Sequence, residues 1–117
     1  MNHLIVDFTT DRVYLSDKFL MDEFLQGTCN MLGMEALSPP LIHDVYGFNP
    51  GLSGILMITT SHITMHTFTA QEKAYVDVFS CKPFTEDGVL GLISRIFNPA
   101  TLSHYELDRA PITLLGG

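Results

Sequence analysis

The sequence predicts an α+β fold, a two-layer sandwich in which helices pack on one face of a mainly antiparallel sheet. Apolar residues recur at helical spacing in two segments, one in each half of the chain, and short strand-like segments lie around them. Residues 61–68 alternate polar and apolar residues, which is typical of a strand in the middle of a sheet. Two strand-helix-strand halves around a central hairpin therefore predict helices on one side of one sheet.

The first half of the chain contains two predicted strands and one helix. Residues 3–8 are rich in branched apolar residues and end in a turn, which predicts the first strand. Ser16 is a suitable N-cap for a helix that we expect to continue to Met34. Its apolar face would carry Phe19, Leu20, Phe24, Leu25, Cys29 and Leu32. After Pro39-Pro40, residues 41–48 predict a strand that ends before the turn at 49–51.

The second half begins with a predicted hairpin. Residues 54–60 form a continuous apolar run, typical of a buried strand, whereas residues 61–68 alternate and place both of their histidines on one face. A third strand is expected over 74–81. Thr85 then marks the start of a helix that stops at Asn98-Pro99, and residues 102–107 return as the last strand.

Composition and charge limit the kinds of function. The chain has 117 residues, of which 46% are hydrophobic and 16% charged, so we expect a single domain over 1–117. A site made only by so small a domain would be shallow, which favours self-association. Thirteen acidic residues against six basic ones give a net charge of −7 without a basic cluster, so no nucleic acid partner is expected.

The termini and cysteines add three further expectations. The first residues lack a basic region with a long apolar run, and no stretch is long enough to span a membrane, so a cytoplasmic protein without membrane contact is expected. Cys29 and Cys81 lie far apart, which argues against a disulfide scaffold or a zinc ribbon. His62 and His66 are four residues apart on a predicted strand with no third ligand near in sequence, so no metal site is expected.

The most informative segment runs from Gly51 to Cys81. It contains Gly51-Leu52-Ser53-Gly54, then Thr60-Ser61-His62-Ile63-Thr64-Met65-His66-Thr67-Phe68, and then Tyr75-Val76-Asp77-Val78-Phe79-Ser80-Cys81. The segment resembles the signature region of the prokaryotic S-adenosylmethionine decarboxylases. Because four reactive residues match the spacing of that family together, the match is more specific than any single short motif. They are Ser53, Ser61, His66 and Cys81.

The resemblance implies a self-processing proenzyme. The chain would cut itself between Thr60 and Ser61, giving a β fragment of residues 1–60 and an α fragment of residues 61–117. Ser61 would become a pyruvoyl group, whose ketone forms a Schiff base with the substrate amine and accepts the electrons released with carbon dioxide. No metal or external cofactor would be needed.

The same resemblance assigns roles to the other matching residues. Ser53 and His66 would assist processing through hydrogen bonding and proton transfer, and Cys81 would reprotonate the α-carbon after decarboxylation. Phe48 would stack on the adenine of the substrate. The expected activity is S-adenosylmethionine decarboxylation for polyamine synthesis, by a homodimer of processed protomers.

Two positions depart from the family pattern. Thr60 stands where glutamate usually precedes the processing serine, and Ala70 stands where a glutamate holds the ribose hydroxyls. Because alanine cannot accept a hydrogen bond, the same pyruvoyl chemistry on a free basic amino acid, ornithine or arginine, remains an alternative. A non-processing metabolite-binding or regulatory paralogue is a third.

Each residue also has an ordinary structural interpretation. An isolated serine beside glycine is usually a turn residue, and an isolated cysteine on an apolar strand is usually a small buried hydrophobe. Phe48 could fill part of the core. The functional hypothesis rests on the joint spacing of Ser53, Ser61, His66 and Cys81.

Overall fold

The computed structural model describes residues 1–109 and has two layers, a six-stranded sheet and three helices. All neighbouring strands are antiparallel, in the order β2-β3-β4-β5-β1-β6. The elements, in chain order, are β1 His3–Thr9, α1 Arg12–Leu15, α2 Lys18–Met31, β2 Leu41–Val45, β3 Gly51–Ile58, β4 Ser61–Phe68, β5 Lys73–Phe79, α3 Glu86–Phe97 and β6 Thr101–Leu107. The predicted α+β sandwich is confirmed.

The core lies between the helices and one face of the sheet, which we call the covered face. Every second residue of the four central strands points into it, including Val6, Leu56, Ile63 and Val76. Phe24 of α2 and Phe97 of α3 meet edge to face within this layer, with ring centroids 5.9 Å apart. The opposite face of the sheet, the open face, carries no helix of the described residues.

Close packing between α2 and the sheet depends on a glycine. A Cβ atom at Gly54 would lie 2.6 Å from Met21 Sδ and 3.1 Å from Leu25 Cδ1. Because heavy atoms do not approach so closely, a larger residue here would displace the helix side chains. Gly54 therefore lets the middle of β3 lie directly under α2.

The start of the first long helix differs from the prediction. Ser16 does not cap it; Ser16 follows the short helix α1, which the sequence did not indicate. The cap of α2 is Asp17, whose carboxylate accepts hydrogen bonds from the backbone N–H groups of Phe19 and Leu20. A carboxylate satisfies two free amides of the first turn, so the helix begins there. The helix ends at Met31, three residues before the predicted Met34, and Gly33, which follows the C-cap Leu32, has a positive φ of 68°.

Two predictions about burial are wrong. Phe19 is 87% exposed, because it lies five residues from Phe24 and hence about 140° around the helix from the buried stripe. The run at 54–60 is not a fully buried strand: β3 ends at Ile58 and alternates, so that Ile55 and Met57 lie on the open face. The run is continuous because both faces of β3 carry apolar residues, although only the covered face is buried.

The remaining elements agree closely with the prediction. Strand β2 ends at Val45, three residues earlier than predicted, and a loop leads to β3. Helix α3 begins after Thr85, which adopts an extended N-cap conformation without a side-chain hydrogen bond, and ends at Asn98 in a left-handed conformation with φ 46°. Within residues 1–109, none of the helices is both long and apolar enough to cross a membrane.

Burial predicts that two phenylalanines of α2 contribute very differently to the free energy of unfolding. Phe24→Ala should lower the free energy of unfolding by about 3–5 kcal/mol, because it removes a fully buried ring and leaves a cavity. Phe19→Ala, in the same helix, should change it by less than about 0.5 kcal/mol. Urea unfolding of the two variants measures this difference, and equal losses would contradict the assignment of the buried face.

Candidate active site

Ser61 occupies the first position of β4, directly after the tight turn at Thr59 and Thr60. Its side chain points to the covered face and is 5% exposed. The backbone N–H of Cys81 donates a hydrogen bond of 2.9 Å to Ser61 Oγ. The hydroxyl is therefore held in place at the peptide bond that the sequence predicts to be cut, and its own proton is still available for donation.

Cys81 lies just beyond the end of β5, beside the same peptide. Strand register brings it there, because Phe79 pairs with His62 and the chain continues antiparallel to Ser61 and Thr60. The thiol is exposed. Its pKa lies below the ordinary value because the Thr60 side chain, and after it the Ser61 side chain, hydrogen-bond to the sulfur. Thr60, Ser61 and Cys81 thus form one contact group, which we call the cleavage end of the sheet.

Ser53 and His66 form a second group. They are register partners on β3 and β4, and Ser53 Oγ lies 2.8 Å from His66 Nδ1, so the two side chains share a hydrogen bond. Both lie on the open face. Phe68 and Tyr75 are close by, in edge-to-face contact at 5.6 Å. We call this the histidine end of the sheet.

The structure does not bring these two groups together within one chain. Ser61 and His66 are five residues apart on β4, about 16 Å along an extended strand. Their side chains also point to opposite faces, because their positions in the strand differ by an odd number. A single chain therefore supplies the four residues that match the family spacing as two separate pairs.

Phe48 and Ala70 lie nearer to the histidine end. Phe48 is in the loop before β3 and is 99% exposed, so the alternative that it fills the core is wrong. Ala70 is exposed in the turn that joins β4 to β5. In that turn Glu72 takes a positive φ of 57°, and its backbone carbonyl accepts a hydrogen bond from Thr10 N. Position 70 itself therefore has no side-chain carboxylate that could bind a substrate hydroxyl.

A small depression opens at the cleavage end. Its volume is about 280 Å³, and its lining includes Ile58, Thr60, Cys81 and Lys82. Sites for drug-sized ligands usually measure about 300–1,000 Å³ and enclose most of the ligand. One chain therefore offers a surface for part of a nucleoside-sized substrate and leaves the rest uncovered.

The other candidate groups have ordinary surroundings. Cys29 is buried on α2, burial raises its pKa, and its thiol hydrogen-bonds to the Met34 carbonyl oxygen at 3.3 Å. His62 lies on the open face with Nε2 3.6 Å from Asp77 Oδ1. Over residues 1–109, the His, Cys, Asp and Glu side chains form no group of three or more with a metal-binding arrangement.

The contact between Thr60 and Cys81 makes a testable prediction. In an uncut Ser61→Ala chain, the further change Thr60→Val should raise the midpoint pH at which Cys81 reacts with iodoacetamide, because it removes the hydroxyl that lowers the thiol pKa most. Peptide mass mapping follows the reaction, with buried Cys29 as the internal control that stays unmodified. A midpoint that falls or stays the same would contradict this geometry.

Comparison with known proteins supports the resemblance noted in the sequence. A family model described as S-adenosylmethionine decarboxylase matches residues 2–110. An S-adenosylmethionine decarboxylase proenzyme of Thermoplasma volcanium is 25% identical over 113 residues, which cover 94% of this chain and 84% of that protein. A crystal structure of the adenosylmethionine decarboxylase from Aquifex aeolicus superposes with a TM-score of 0.79 and 19% identity, over 95% of this chain and 91% of the other.

Higher identity is confined to shorter segments. The S-adenosylmethionine decarboxylase proenzyme of Shouchella clausii is 37% identical over 60 residues, half of this chain. The matched segments cover 46% of that protein and 57% of a proenzyme from Archaeoglobus fulgidus, about half the length of each. The family model nevertheless extends over nearly all of the sequence, and the sheet and helices agree with a solved structure. The chain belongs to the S-adenosylmethionine decarboxylase family.

Proposed function

We propose that this chain is a self-processing decarboxylase that cuts itself between Thr60 and Ser61 and uses the resulting pyruvoyl group. The observation that carries this proposal is the contact group at the cleavage end: a buried Ser61 hydroxyl held by the Cys81 N–H, with the Cys81 thiol beside the same peptide. Membership of the family, and the name proenzyme given to several relatives, support it.

The cutting reaction uses atoms of the chain itself. Ser61 Oγ attacks the carbonyl carbon of Thr60, the carbon–nitrogen bond breaks, and an ester links the two residues. Loss of the Ser61 α-proton then expels the Thr60 carboxylate, and water replaces the nitrogen, which leaves as ammonia. Positioning the hydroxyl against its own peptide makes the first step intramolecular, which lowers its barrier by several kcal/mol, of order 7 or more in well-oriented cases.

The pyruvoyl group supplies a ketone that condenses with an amine and accepts electrons from the α-carbon. Residues of the cleavage end fit such a group, because it would form at residue 61 itself, at the first position of β4, with Cys81 beside it. The thiol of Cys81 stands at the edge of this position, which suits the delivery of a proton to the α-carbon of the substrate.

Processing itself would adjust Cys81 for that task. In the uncut chain the hydroxyls of Thr60 and Ser61 lower the pKa of the thiol. Cutting removes the Ser61 hydroxyl, because its oxygen leaves in the new Thr60 carboxylate, and that carboxylate places a negative charge next to the sulfur. Both changes raise the pKa of Cys81, because they disfavour the thiolate. A thiol that keeps its proton at neutral pH is the form that a proton donor needs.

S-adenosylmethionine is the first substrate candidate. The exposed ring of Phe48 is free to stack on an adenine, and the names of the relatives specify this substrate for those proteins. Ala70, however, offers no oxygen for the ribose hydroxyls. Ornithine or arginine, which carry no ribose, therefore remain as the alternative within the same chemistry.

A homodimer would complete the site. Ser53, His66 and Phe48 lie at the opposite end of the sheet from Ser61, so a second copy facing the open face in the reverse direction would bring them to it. A two-fold axis does this for both sites at once, since an isologous contact is reciprocal. The open face has the apolar surface for such a contact: Leu41, Val45, Ile55, Met57, Tyr75, Tyr105 and Leu107 are all exposed.

The cytoplasmic location expected from the sequence stays a prediction.

The activity is tested by incubating the purified protein with S-adenosylmethionine, ornithine and arginine while released carbon dioxide is recorded. We expect release from one of the three, and S-adenosylmethionine first. Ser61→Ala should abolish release because it removes the precursor of the ketone. Cys81→Ser should still be cut but should turn over at least tenfold more slowly, since a hydroxyl is a poorer acid than a thiol.

Normal release by Ser61→Ala would rule out the pyruvoyl mechanism. Intact, uncut wild-type protein without release would favour the non-processing paralogue. Ser38→Ala, at an exposed serine in the connection between α2 and β2, is the matched control and should leave both cutting and release unchanged.

A further inference from the structure

Arg109, just after β6, places a positive charge at the cleavage end. Its guanidinium carbon lies 4.8 Å from the centre of the Phe79 ring, at a distance suited to a cation–π contact. Phe79 points to the open face and is the register partner of His62, the residue after Ser61. The guanidinium therefore lies one strand away from the predicted pyruvoyl position, although it is nearly fifty residues distant in sequence.

The backbone of Arg109 is fixed by one side chain. Asn2 Oδ1 accepts a hydrogen bond from Arg109 N at 2.9 Å, and Asn2 Nδ2 donates to Arg109 O at 3.2 Å. The backbone carbonyl of Asn2 accepts from Ser80 N at 2.9 Å. Asn2 thus holds the backbone of Arg109 and the backbone of Ser80, the residue that precedes Cys81, through hydrogen bonds.

The groups around this cation are mainly basic or aromatic. The rings of His3 and His62 lie 5.8 and 5.7 Å from Phe79. Asp77 is the carboxylate that faces them, and its Oδ1 is occupied by His3 Nε2 at 2.8 Å. Asp108 instead pairs with the N-terminal amine at 3.4 Å. Both carboxylates therefore have other partners, and the Arg109 guanidinium keeps its donors for an anion in a chain with a net charge of −7.

We propose that Arg109 binds the α-carboxylate of the substrate before it leaves as carbon dioxide. This inference rests on the proposed function, because it assumes that the substrate amine is attached at residue 61. S-adenosylmethionine, ornithine and arginine all carry their carboxylate on the carbon next to that amine, so each would present it within a few ångströms of residue 61. A guanidinium offers the planar pair of donors that matches a carboxylate, and contact with a ring does not consume these donors.

The charge balance fixes which kinetic constant should respond. Breaking the carbon–carbon bond leaves its electron pair on the substrate side and releases neutral carbon dioxide, so the negative charge that Arg109 binds disappears during the step. Arg109 therefore stabilises the bound substrate more than the transition state. Its loss should raise KM without lowering kcat.

The test uses Arg109→Gln and Arg109→Lys in the full-length, processed protein. With the substrate that releases carbon dioxide, Arg109→Gln should raise KM about tenfold to a hundredfold, the loss of one or two charged hydrogen bonds. Arg109→Lys, which keeps the charge without the paired donors, should show a smaller rise. Arg95→Gln, at an exposed arginine of α3, is the matched control and should leave KM unchanged.

Binding without turnover provides the second measurement. Calorimetry with the decarboxylated amine, namely decarboxylated S-adenosylmethionine, putrescine or agmatine to match the substrate, should give the same Kd for Arg109→Gln as for the wild type. An equal loss of affinity for this amine would show a merely structural role and overturn the proposal. So would an unchanged KM.

Intact mass separates this inference from the proposed function. If the wild type is cut and both Arg109 variants are not, Arg109 acts in processing and the carboxylate assignment is wrong. If the wild type itself remains uncut and inactive, the proposed function has failed. The proposal expects two fragments in every variant, with KM raised and kcat not lowered in the Arg109 variants.

Discussion

The alternation of β4 is the constraint on which the rest of the site depends. One strand carries Ser61 at its first position and His66 five residues later, and in an extended chain these two side chains must point to opposite faces about 16 Å apart. The antiparallel register then fixes their companions: Cys81 comes to the Ser61 end from β5, and Ser53 comes to the His66 end from β3. Folding of one chain therefore makes two separate pairs, which are the half-sites of the proposed dimer.

The covered and open faces of the sheet carry different groups. The covered face contains the core, in which Phe24 and Phe97 meet and Gly54 allows α2 to approach closely. The open face carries the exposed apolar side chains, the Ser53–His66 pair and the Arg109–Phe79 contact. A sheet that is uncovered on one side exposes surface which a second copy of the chain can bury. The same contact would supply each half-site with the residues that it lacks.

The sequence predicted the elements well because their signals are local. Periodic apolar residues identified both long helices, and alternation at 61–68 correctly separated the histidines from Ile63 and Met65. The errors occurred where local patterns were ambiguous. Asp17 and Ser16 are both good caps, and only the fold shows that a short helix ends at Ser16. An apolar run at 54–60 does not reveal that Ile55 and Met57 face an uncovered surface.

The candidate site was only partly predictable for a different reason. Family spacing identified Ser53, Ser61, His66 and Cys81, but spacing along a chain does not say which residues meet in one protomer. Asn2 and Arg109 were missed altogether, because strand order, with β1 between β5 and β6, brings these two residues to the cleavage end. The only sequence signal was an arginine soon after the last strand of an acidic chain.

The division of the site between two copies is tested most directly by mixing two inactive chains. Ser61→Ala and His66→Ala chains with different tags are produced together, the mixed species is purified through both tags, and its chains are weighed under denaturing conditions. The account predicts that each variant alone stays uncut, whereas in the mixed species the His66→Ala chain is cut into residues 1–60 and a pyruvoyl-blocked 61–117. A His66→Ala chain that remains whole beside a Ser61→Ala partner would contradict it.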